Sequence, residues 1–307
     1  MRDKKPKETM ESKIETNERI AVLKTYKLYI NGQFPRTESG RYNTIFDKNG
    51  KPSANACLAS RKDFRNAVVA ARAACKGWPS RSAFNRSQIL YRIAEMMESR
   101  KWQLIEEENA AGFDGEKEVL AAIDTMVYYA GCCDKYQQIF STVNPVASSH
   151  FNFSVPEPMG VVAAIAPPTV GILAFVSLIA PIIAGGNTCV ALANENQPLS
   201  AITFGEILHS SDLPNGVVNI LSAKIAELLP TIASYMDVNA VVYAGDDNNY
   251  LALLKEKGAD NMKRIIHYDT QTILKNTAGN PYCIMDTVEI KTTWHPIENI
   301  ASAGAGY

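Results

Sequence analysis

The fold class is indicated most clearly by residues 155–201, VPEPMGVVAAIAPPTVGILAFVSLIAPIIAGGNTCVALANENQPLSA. It contains three apolar runs, at residues 160–166, 173–184 and 188–193, which prolines and glycines separate. Runs of these lengths between such residues predict a strand, a buried helix and a second strand. Parallel strands that are buried on both faces lack the usual alternation of apolar and polar residues. The stretch therefore predicts a βαβ unit, and the loop after its first strand is the expected place for a ligand.

The same stretch invites a membrane interpretation, because residues 159–188 include no charged side chain. A helix needs about 20 uninterrupted apolar residues to span a bilayer. Pro167 and Pro168 interrupt the run, since they remove backbone donors and disfavour helix at that point. Each half is too short on its own, so we expect no membrane association.

The chain on either side of this unit predicts more strands and helices. Apolar runs at residues 216–220, 238–243 and 263–268 predict three further strands, with helices between them. We therefore predict an α/β fold with a doubly wound, Rossmann-like parallel sheet of five strands. Upstream, residues 26–30 alternate like a strand, and Asn31-Gly32 predicts a tight hairpin turn. Helical spacing of apolar residues predicts N-terminal helices at residues 61–76, 89–97 and 116–140.

Composition excludes several classes of protein. The 307 residues are 46% hydrophobic and 21% charged with a formal net charge of −1, which gives no electrostatic reason to expect nucleic acid as a partner. Six scattered cysteines without a Cys-x-x-Cys pair predict no metal site and suit the reducing cytoplasm. The polar start lacks the apolar segment of a secretory signal. We expect residues 1–24 to be a flexible lead and residues 298–307 a disordered tail.

Several linked motifs of the central stretch resemble the NAD-binding half of the aldehyde dehydrogenase superfamily. They are Glu157-Pro158-Met159-Gly160-Val161-Val162, Ile165-Ala166-Pro167, Ala180-Pro181, Gly186-Asn187-Thr188 and Glu195 with Pro198-Leu199-Ser200-Ala201. The resemblance implies a division of the chain into three parts. Residues 25–140 would supply the N-terminal hairpin and helices, residues 159–283 the Rossmann-like sheet, and residues 141–158 with 284–297 a small β element used in oligomerisation.

The end of the chain departs from the superfamily pattern. The segment at 286–294 is similar to the tail strand of full-length relatives, yet it follows the fifth strand closely. In those relatives the whole catalytic domain lies between these two points. Four segments resemble the incomplete second unit of the two-unit, family-16 aldehyde dehydrogenases: KTYKLY at 24–29, RSQILY at 86–91, FVSLIAP at 175–181 and KTTWHP at 291–296. We expect the connection at 269–284 to cover the core that would otherwise face the missing domain, with Tyr282 among the covering groups.

Position by position, the resemblance implies that the catalytic groups are absent. Pro167-Pro168-Thr169 stands where the superfamily has Pro-Trp-Asn, and Thr169 lacks the amide donor for an oxyanion. Tyr268 stands at the position of the glutamate that activates water, and a phenol is a poor base near neutral pH. Cys283 is the one candidate nucleophile, and its alternative interpretation is an ordinary loop thiol. We therefore predict no catalytic residue.

The resemblance also implies a set of cofactor-binding positions. These are Ile165, Pro167, Thr169, Glu195 and Gly245. Glu195 would hold the adenosine ribose, or alternatively would be a turn acid that precedes a helix. Asp246 and Asp247 replace the residues at which a helix N-terminus receives the pyrophosphate; their charge would repel it, although both suit helix capping. Leu192 stands in place of a lysine, so NAD binding is expected to be weak or absent.

Three functional hypotheses follow. The first is a catalytically incomplete assembly or regulatory module that forms a homo-oligomer, such as a dimer, or associates with a full-length aldehyde dehydrogenase. Two predicted edge strands, at 150–155 and 286–294, motivate it, since an unpaired edge favours association. The second is an active NAD-dependent aldehyde oxidoreductase. The third is an NAD-sensing protein that binds the cofactor weakly.

Overall fold

The computed structural model describes residues 22–275 and 279–297. Most of the predicted flexible lead, and all of the predicted tail, lie outside the described residues. The strands are β1 (Thr25–Tyr26), β2 (Tyr42–Phe46), β3 (Pro52–Cys57), β4 (Thr142–Asn144), β5 (His150–Pro158), β6 (Val161–Ile165), β7 (Thr188–Leu192), β8 (Val218–Leu221), β9 (Ala240–Ala244), β10 (Arg264–Tyr268) and β11 (Val288–Pro296). The helices are α1 (Arg61–Ala74), α2 (Ala83–Ser99), α3 (Lys101–Ala111), α4 (Gly115–Cys132), α5 (Tyr136–Phe140), α6 (Ile172–Ala184), α7 (Leu199–His209), α8 (Ile225–Ser234), α9 (Asn248–Ala259), α10 (Thr270–Lys275) and α11 (Tyr282–Met285).

Five parallel strands form the central sheet in the order β10-β9-β6-β7-β8. In the middle strand, Val162 pairs with Cys189 of β7 on one side and with Ala240 of β9 on the other. Along β6, Val162 and Ala164 belong to one hydrophobic core, whereas Val161 and Ala163 belong to the other. The strand is therefore buried on both faces, as its uninterrupted apolar sequence predicts. The predicted doubly wound α/β fold and its five strands are confirmed.

Helices cover both faces of this sheet. Helices α1 and α8 contribute to one core, and α2, α4, α6 and α7 contribute to the other. Every residue of α6 is buried, because α4, α10 and α11 pack on it in addition to the sheet. Within the described residues, no helix is both long and apolar enough to cross a membrane.

The N-terminal region contains the predicted turn and a sheet that was not predicted. Asn31 and Gly32 have φ of 51° and 70°, and Ile30 and Gln33 exchange two backbone hydrogen bonds of 2.9 Å around them. The strand before the turn is shorter than predicted, since β1 ends at Tyr26. Strands β1, β3 and β2 form a separate sheet in that order. The turn between β2 and β3 holds Asn49-Gly50, a hairpin signal that was not used in the prediction.

One helix prediction needs correction, and one helix was not predicted. The single helix predicted for residues 116–140 is two helices, because α4 ends at Cys132 and α5 begins at Tyr136. Lys135 Nζ donates to the carbonyl oxygen of Gly131 (2.7 Å), which satisfies one of the carbonyl groups left free at the end of α4. Helix α3 was not predicted at all.

A small antiparallel sheet has the strand order β11-β5-β4 and is here called the small sheet. Strand β5 pairs with β11 from Pro158 to His150 and with β4 at residues 152–154. The prediction that residues 150–155 form an edge strand is therefore wrong, because β5 has a neighbour on each side. The tail strand β11 is an edge of this sheet, as predicted, and β4 is the other edge.

The connection between β10 and β11 lies against α6. Its buried side chains are Ile273, Cys283 and Ile284, which are 1%, 5% and 0% exposed. The expectation that Tyr282 covers the core is wrong, since it is 63% exposed and its ring contacts Phe140. Tyr282 and Cys283 are adjacent on α11, and neighbouring side chains on a helix point in different directions. The side chain of Cys283 is therefore buried where that of Tyr282 is exposed.

Candidate functional site

A cavity of about 370 Å³ opens at the carboxyl ends of the strands and is here called the switch-point cavity. The chain leaves β6 toward β7 and β8 on one side of the sheet, and later returns to form β9 and β10 on the other. The cavity lies where these two directions diverge, which is the usual ligand position in open parallel sheets. Its wall is formed by Ala166, Pro167, Pro168, Thr169, Glu195, Asn196, Ile225, Tyr243, Gly245, Asp246, Asp247, Tyr250 and Thr270.

The loop after β6 is held in place by asparagine side chains. Asn194 Nδ2 donates to the carbonyl oxygen of Val170 (2.8 Å), and Asn196 Nδ2 donates to that of Pro168 (3.3 Å). Asn194 Oδ1 also accepts from the backbone N–H of Asn196 (2.8 Å). Pro167 is buried and Thr169 is exposed at the cavity rim. The loop geometry therefore depends on the segment that follows β7.

The helix that follows this loop begins beside two glutamates, the buried Glu108 and the partly buried Glu118. Glu108 Oε1 accepts from the backbone N–H of Ile172 and Glu118 Oε2 from that of Leu173, both at 3.2 Å. Negative charge is favourable at a helix N-terminus, because several backbone N–H groups point outward there. Burial raises the pKa of Glu108 to about 7, and burial also raises the pKa of Glu118. A Cβ on Gly171 would lie 2.1 Å from Glu108 Oε2, so only glycine leaves room for these carboxylates.

Aromatic side chains form one wall of the cavity. Tyr243 stacks on His267 with ring centroids 5.8 Å apart and meets Tyr250 edge-on at 6.5 Å. A Cβ on Gly245 would lie 2.8 Å from the Tyr243 hydroxyl oxygen, so the glycine lets this ring lie against the loop. The Tyr243 hydroxyl oxygen also accepts from the backbone N–H of Asp247 (3.3 Å), so this ring holds the Gly245–Asp247 loop in place.

All three carboxylates of the cavity accept backbone hydrogen bonds at the start of a helix. Glu195 Oε2 accepts from the N–H of Ile225 (2.9 Å), at the first residue of α8. Asp247 Oδ1 accepts from Asn249 (2.8 Å) and Tyr250 (3.3 Å) and is the N-cap of α9. Asp246 Oδ1 accepts from the N–H of Thr270 (3.0 Å), and this hydrogen bond lowers the pKa of Asp246. The helix that Glu195 contacts is therefore α8, 30 positions along the chain, and α7 is the helix that follows it directly.

The charges around the cavity do not fit a pyrophosphate. Glu195, Asp246 and Asp247 line it, and among the residues described the wall includes no lysine or arginine. Asp247 occupies the N-terminus of α9, where a phosphate would otherwise accept from backbone N–H groups. Leu192, at the position of the superfamily lysine, is completely buried. These carboxylates are hydrogen-bond acceptors, so they are suited to hydroxyl or amine groups of a ligand and not to an anion.

The structure brings together four of the five predicted cofactor-binding residues. Pro167, Thr169, Glu195 and Gly245 line the switch-point cavity, whereas Ile165 is buried in a core and does not. Tyr243, Tyr250 and Asn196 also line the cavity and were not predicted from the sequence. Tyr243 lies within a predicted strand, and its place as the last but one residue of β9 was the available signal, since ligands bind beyond the carboxyl ends of parallel strands.

Of the three positions compared with catalytic residues of the superfamily, Thr169 lines the cavity, whereas Tyr268 and Cys283 lie outside its wall. The Tyr268 hydroxyl donates to Asp286 Oδ2, and burial, followed by the proximity of Cys283, raises the pKa of Tyr268 far above that of a free phenol. Cys283 is 5% exposed and interacts with Tyr129 and Tyr268. A thiol enclosed in this way is not presented to a ligand in the switch-point cavity.

Comparison with solved structures identifies the type of fold. The NAD+ complex of aldehyde dehydrogenase from Bacillus cereus matches with a TM-score of 0.75 at 24% identity, covering 80% of this chain and 51% of that chain. The NAD-dependent aldehyde dehydrogenase from Sinorhizobium meliloti matches with a TM-score of 0.74 at 22% identity, covering 80% and 50%. The fold is thus that of the NAD-binding, Rossmann-like half of an aldehyde dehydrogenase.

Sequence comparison then gives the family. The model of the aldehyde dehydrogenase family matches residues 34–295. Aldehyde dehydrogenase family 2 member C4 of Arabidopsis thaliana is 29% identical over 261 residues, which are 81% of this chain and 51% of that protein. Human retinal dehydrogenase 2 is 30% identical over 255 residues, 79% of this chain and 48% of that protein. The chain belongs to the aldehyde dehydrogenase family and spans about half the length of the relatives it matches.

Proposed function

We propose that this protein is a catalytically incomplete member of its family that acts as an assembly or regulatory subunit. The observation that carries the proposal is an apolar patch on the small sheet, formed by Val143, Phe151, Phe153 and Val155. Val143 is 68% exposed and Phe151 45% exposed, and the rings of Phe151 and Phe153 lie 5.6 Å apart. Exposed apolar clusters of this kind mark sites of protein association.

The edges of the small sheet extend this surface. The outer edges of β4 and β11 have no further strand beside them among the described residues. Unpaired backbone groups at a sheet edge favour the addition of a strand from another chain. The partner would be a second copy of this chain or a full-length aldehyde dehydrogenase. All six cysteines are free, which supports a reducing compartment such as the cytoplasm.

The chemistry of the catalytic positions supports the same proposal. Aldehyde oxidation requires an accessible thiolate, an oxyanion donor and a base for deacylation. Here the thiol of Cys283 is buried, and Thr169 is exposed and has no side-chain amide to donate to an oxyanion. The pKa of Tyr268, at the position of the base, is raised by burial. We expect no reduction of NAD with a panel of aliphatic and aromatic aldehydes. Turnover that is abolished by Cys283→Ala would instead support the oxidoreductase hypothesis.

The assembly proposal is tested by light scattering after gel filtration. We expect the wild-type chain to form a dimer or larger oligomer, or to bind a full-length family member with which it is mixed. Val143→Asp combined with Phe151→Glu should disrupt either complex, because two carboxylates would be desolvated in the interface. Val69→Asp is the matched control, since Val69 is 59% exposed on α1 and away from the patch. A monomer that binds no family member would contradict the proposal.

Weak binding of NAD is a second candidate function, favoured by the switch-point cavity. The cavity lies at the position used by dinucleotides in this type of sheet, and Glu195 can accept hydrogen bonds from ribose hydroxyls. The repulsion described above predicts a dissociation constant in the millimolar range. Asp246→Asn with Asp247→Asn should strengthen binding roughly tenfold, because asparagine keeps the capping hydrogen bonds and removes both charges. Calorimetry that detects no heat with either protein would exclude this function.

A further inference from the structure

A second cavity lies at the opposite end of the sheet, near the amino ends of β6 and β7. Its volume is about 520 Å³, which is within the range of small-molecule sites. The wall consists of Lys76, Pro79, Ser80, Arg81, Ala83, Arg86, Tyr136, Gln137, Pro156, Glu157, Pro158, Gly185 and Gly186. We call it the basic cavity, because three cations and one carboxylate line it.

Arg86 is the distinctive residue of the basic cavity. It is only 5% exposed, and its Nη1 donates to the carbonyl oxygens of Arg81 (2.7 Å) and Pro79 (3.3 Å). Its Nε has no hydrogen-bond partner. A buried guanidinium has no carboxylate beside it among the ion pairs of the described residues. Tyr136, in the same wall, also interacts with Arg86. Burial of a charge without a counter-ion is costly, so an anion in the cavity would stabilise the guanidinium.

The surroundings of Arg86 also favour an anion. Helix α2, of 17 residues, begins at Ala83 in the cavity wall, and the positive end of its dipole therefore faces the cavity. Lys76 and Arg81 add two further positive charges, and the Ser80 hydroxyl lies in the same wall. Glu157 is exposed and is the one acid that opposes them.

We propose that the basic cavity binds the oxyanion group, phosphate or carboxylate, of a small molecule. A guanidinium and a helix N-terminus both recognise such groups through converging N–H donors. The site uses no residue of the switch-point cavity and none of the catalytic positions, so it does not depend on the function proposed above. The wall of the basic cavity includes Pro156, Glu157 and Pro158, which belong to β5 of the small sheet.

Calorimetry and thermal unfolding with inorganic phosphate test the proposal, with citrate as the second probe and sodium chloride at equal ionic strength as the blank. Phosphate binding alone indicates a phosphorylated ligand, and preferential citrate binding indicates a carboxylate. We expect saturable binding and a rise in melting temperature with at least one of the two. Lys76→Ala with Arg81→Ala should weaken binding about tenfold or more, because two charge-assisted contacts are lost. Lys255→Ala, on the exposed face of α9, should leave it unchanged.

Two further variants separate binding from folding. Glu157→Gln should strengthen phosphate or citrate binding several-fold, because it removes the opposing charge without removing a basic group. Arg86→Lys keeps the charge but loses the guanidinium fork, and should weaken binding in a protein whose circular dichroism is unchanged. Absence of saturable heat with both probes overturns the proposal. An equal response of the Lys76/Arg81 variant and the Lys255 variant overturns it too, since it would show general ion screening.

Discussion

At the scale of single residues, Asn187 shows how a motif acquires a physical meaning. In sequence it belongs to Gly186-Asn187-Thr188, which only resemblance marks as important. In the structure its Oδ1 accepts from the N–H of Gly160 (2.9 Å) and its Nδ2 donates to the carbonyl oxygen of Thr287 (2.8 Å). The side chain is completely buried and ties the start of β6 to the residue before β11.

Asn187→Ala should therefore lower the free energy of unfolding by about 2–4 kcal/mol, because two backbone groups lose their partner inside the protein. Asn187→Asp should be nearly as damaging, since a carboxylate would face the Thr287 carbonyl oxygen. Urea unfolding measures both effects. Asn249→Ala, at an exposed position, is the control and should stay within about 0.5 kcal/mol of the wild type. A stable Asn187→Ala variant would contradict this assignment.

Residue roles could be predicted from sequence where the partner is close in the chain. Asp247 caps α9 two and three residues ahead, and capping was the role expected from the sequence. Glu195 reaches Ile225, 30 positions away, so its partner depends on the packing of α8 beside β7. The unpaired Nε of Arg86 likewise follows from tertiary burial, which a pattern of residue types does not encode.

At the scale of elements, helix α6 and its cover define the larger core. The apolar length of α6 predicted it directly, because a helix buried all round shows no polar stripe. Strands β2 and β3 were not predicted, since they are short, partly exposed and weakly patterned. The 269–284 connection was expected to cover a core, without a prediction of which helix it would contact. The particular covering residues depend on the rotation of α11, which the sequence of a four-residue helix does not reveal.

Ile284 is the side chain by which this connection closes the core. Ile284→Ala should lower the free energy of unfolding by about 2–4 kcal/mol, since the side chain is completely buried and its loss leaves a cavity. Ile139→Ala is the matched control, because Ile139 is 55% exposed and should cost less than about 1 kcal/mol. Chemical unfolding of both variants gives the comparison, and equal losses would argue against a covering role for α11.

At the scale of the whole molecule, buried carboxylates make stability depend on pH. Burial raises the pKa of Glu108 from 4.5 to about 7, and the neighbouring Glu107 and Glu118 are raised in the same direction by burial. Between pH 4.5 and about pH 7, the Glu108 carboxyl is therefore protonated more often in the folded state than in the unfolded state. The free energy of unfolding contributed by Glu108 is therefore complete at low pH and falls as pH rises through this window.

The stability of the wild type relative to Glu108→Gln should thus fall by about 3 kcal/mol between pH 4.5 and pH 7.5. Glutamine keeps an oxygen for the Ile172 N–H and does not ionise, which isolates the contribution of the carboxyl. Glu106→Gln, one exposed position on the same helix, should show no such difference. Urea unfolding at several pH values measures the trend, and a difference that rises with pH would reverse the assignment.

The passage from β5 to β6 has a mechanical consequence. Only Met159 and Gly160 separate the middle strand of the small sheet from the middle strand of the central sheet. A load applied to β5 would reach β6 across only these two residues, and β6 would resist it through its hydrogen bonds to β7 and β9. Ala166 follows β6 directly and lines the switch-point cavity, so a displacement of β6 would be transmitted to the wall of that cavity.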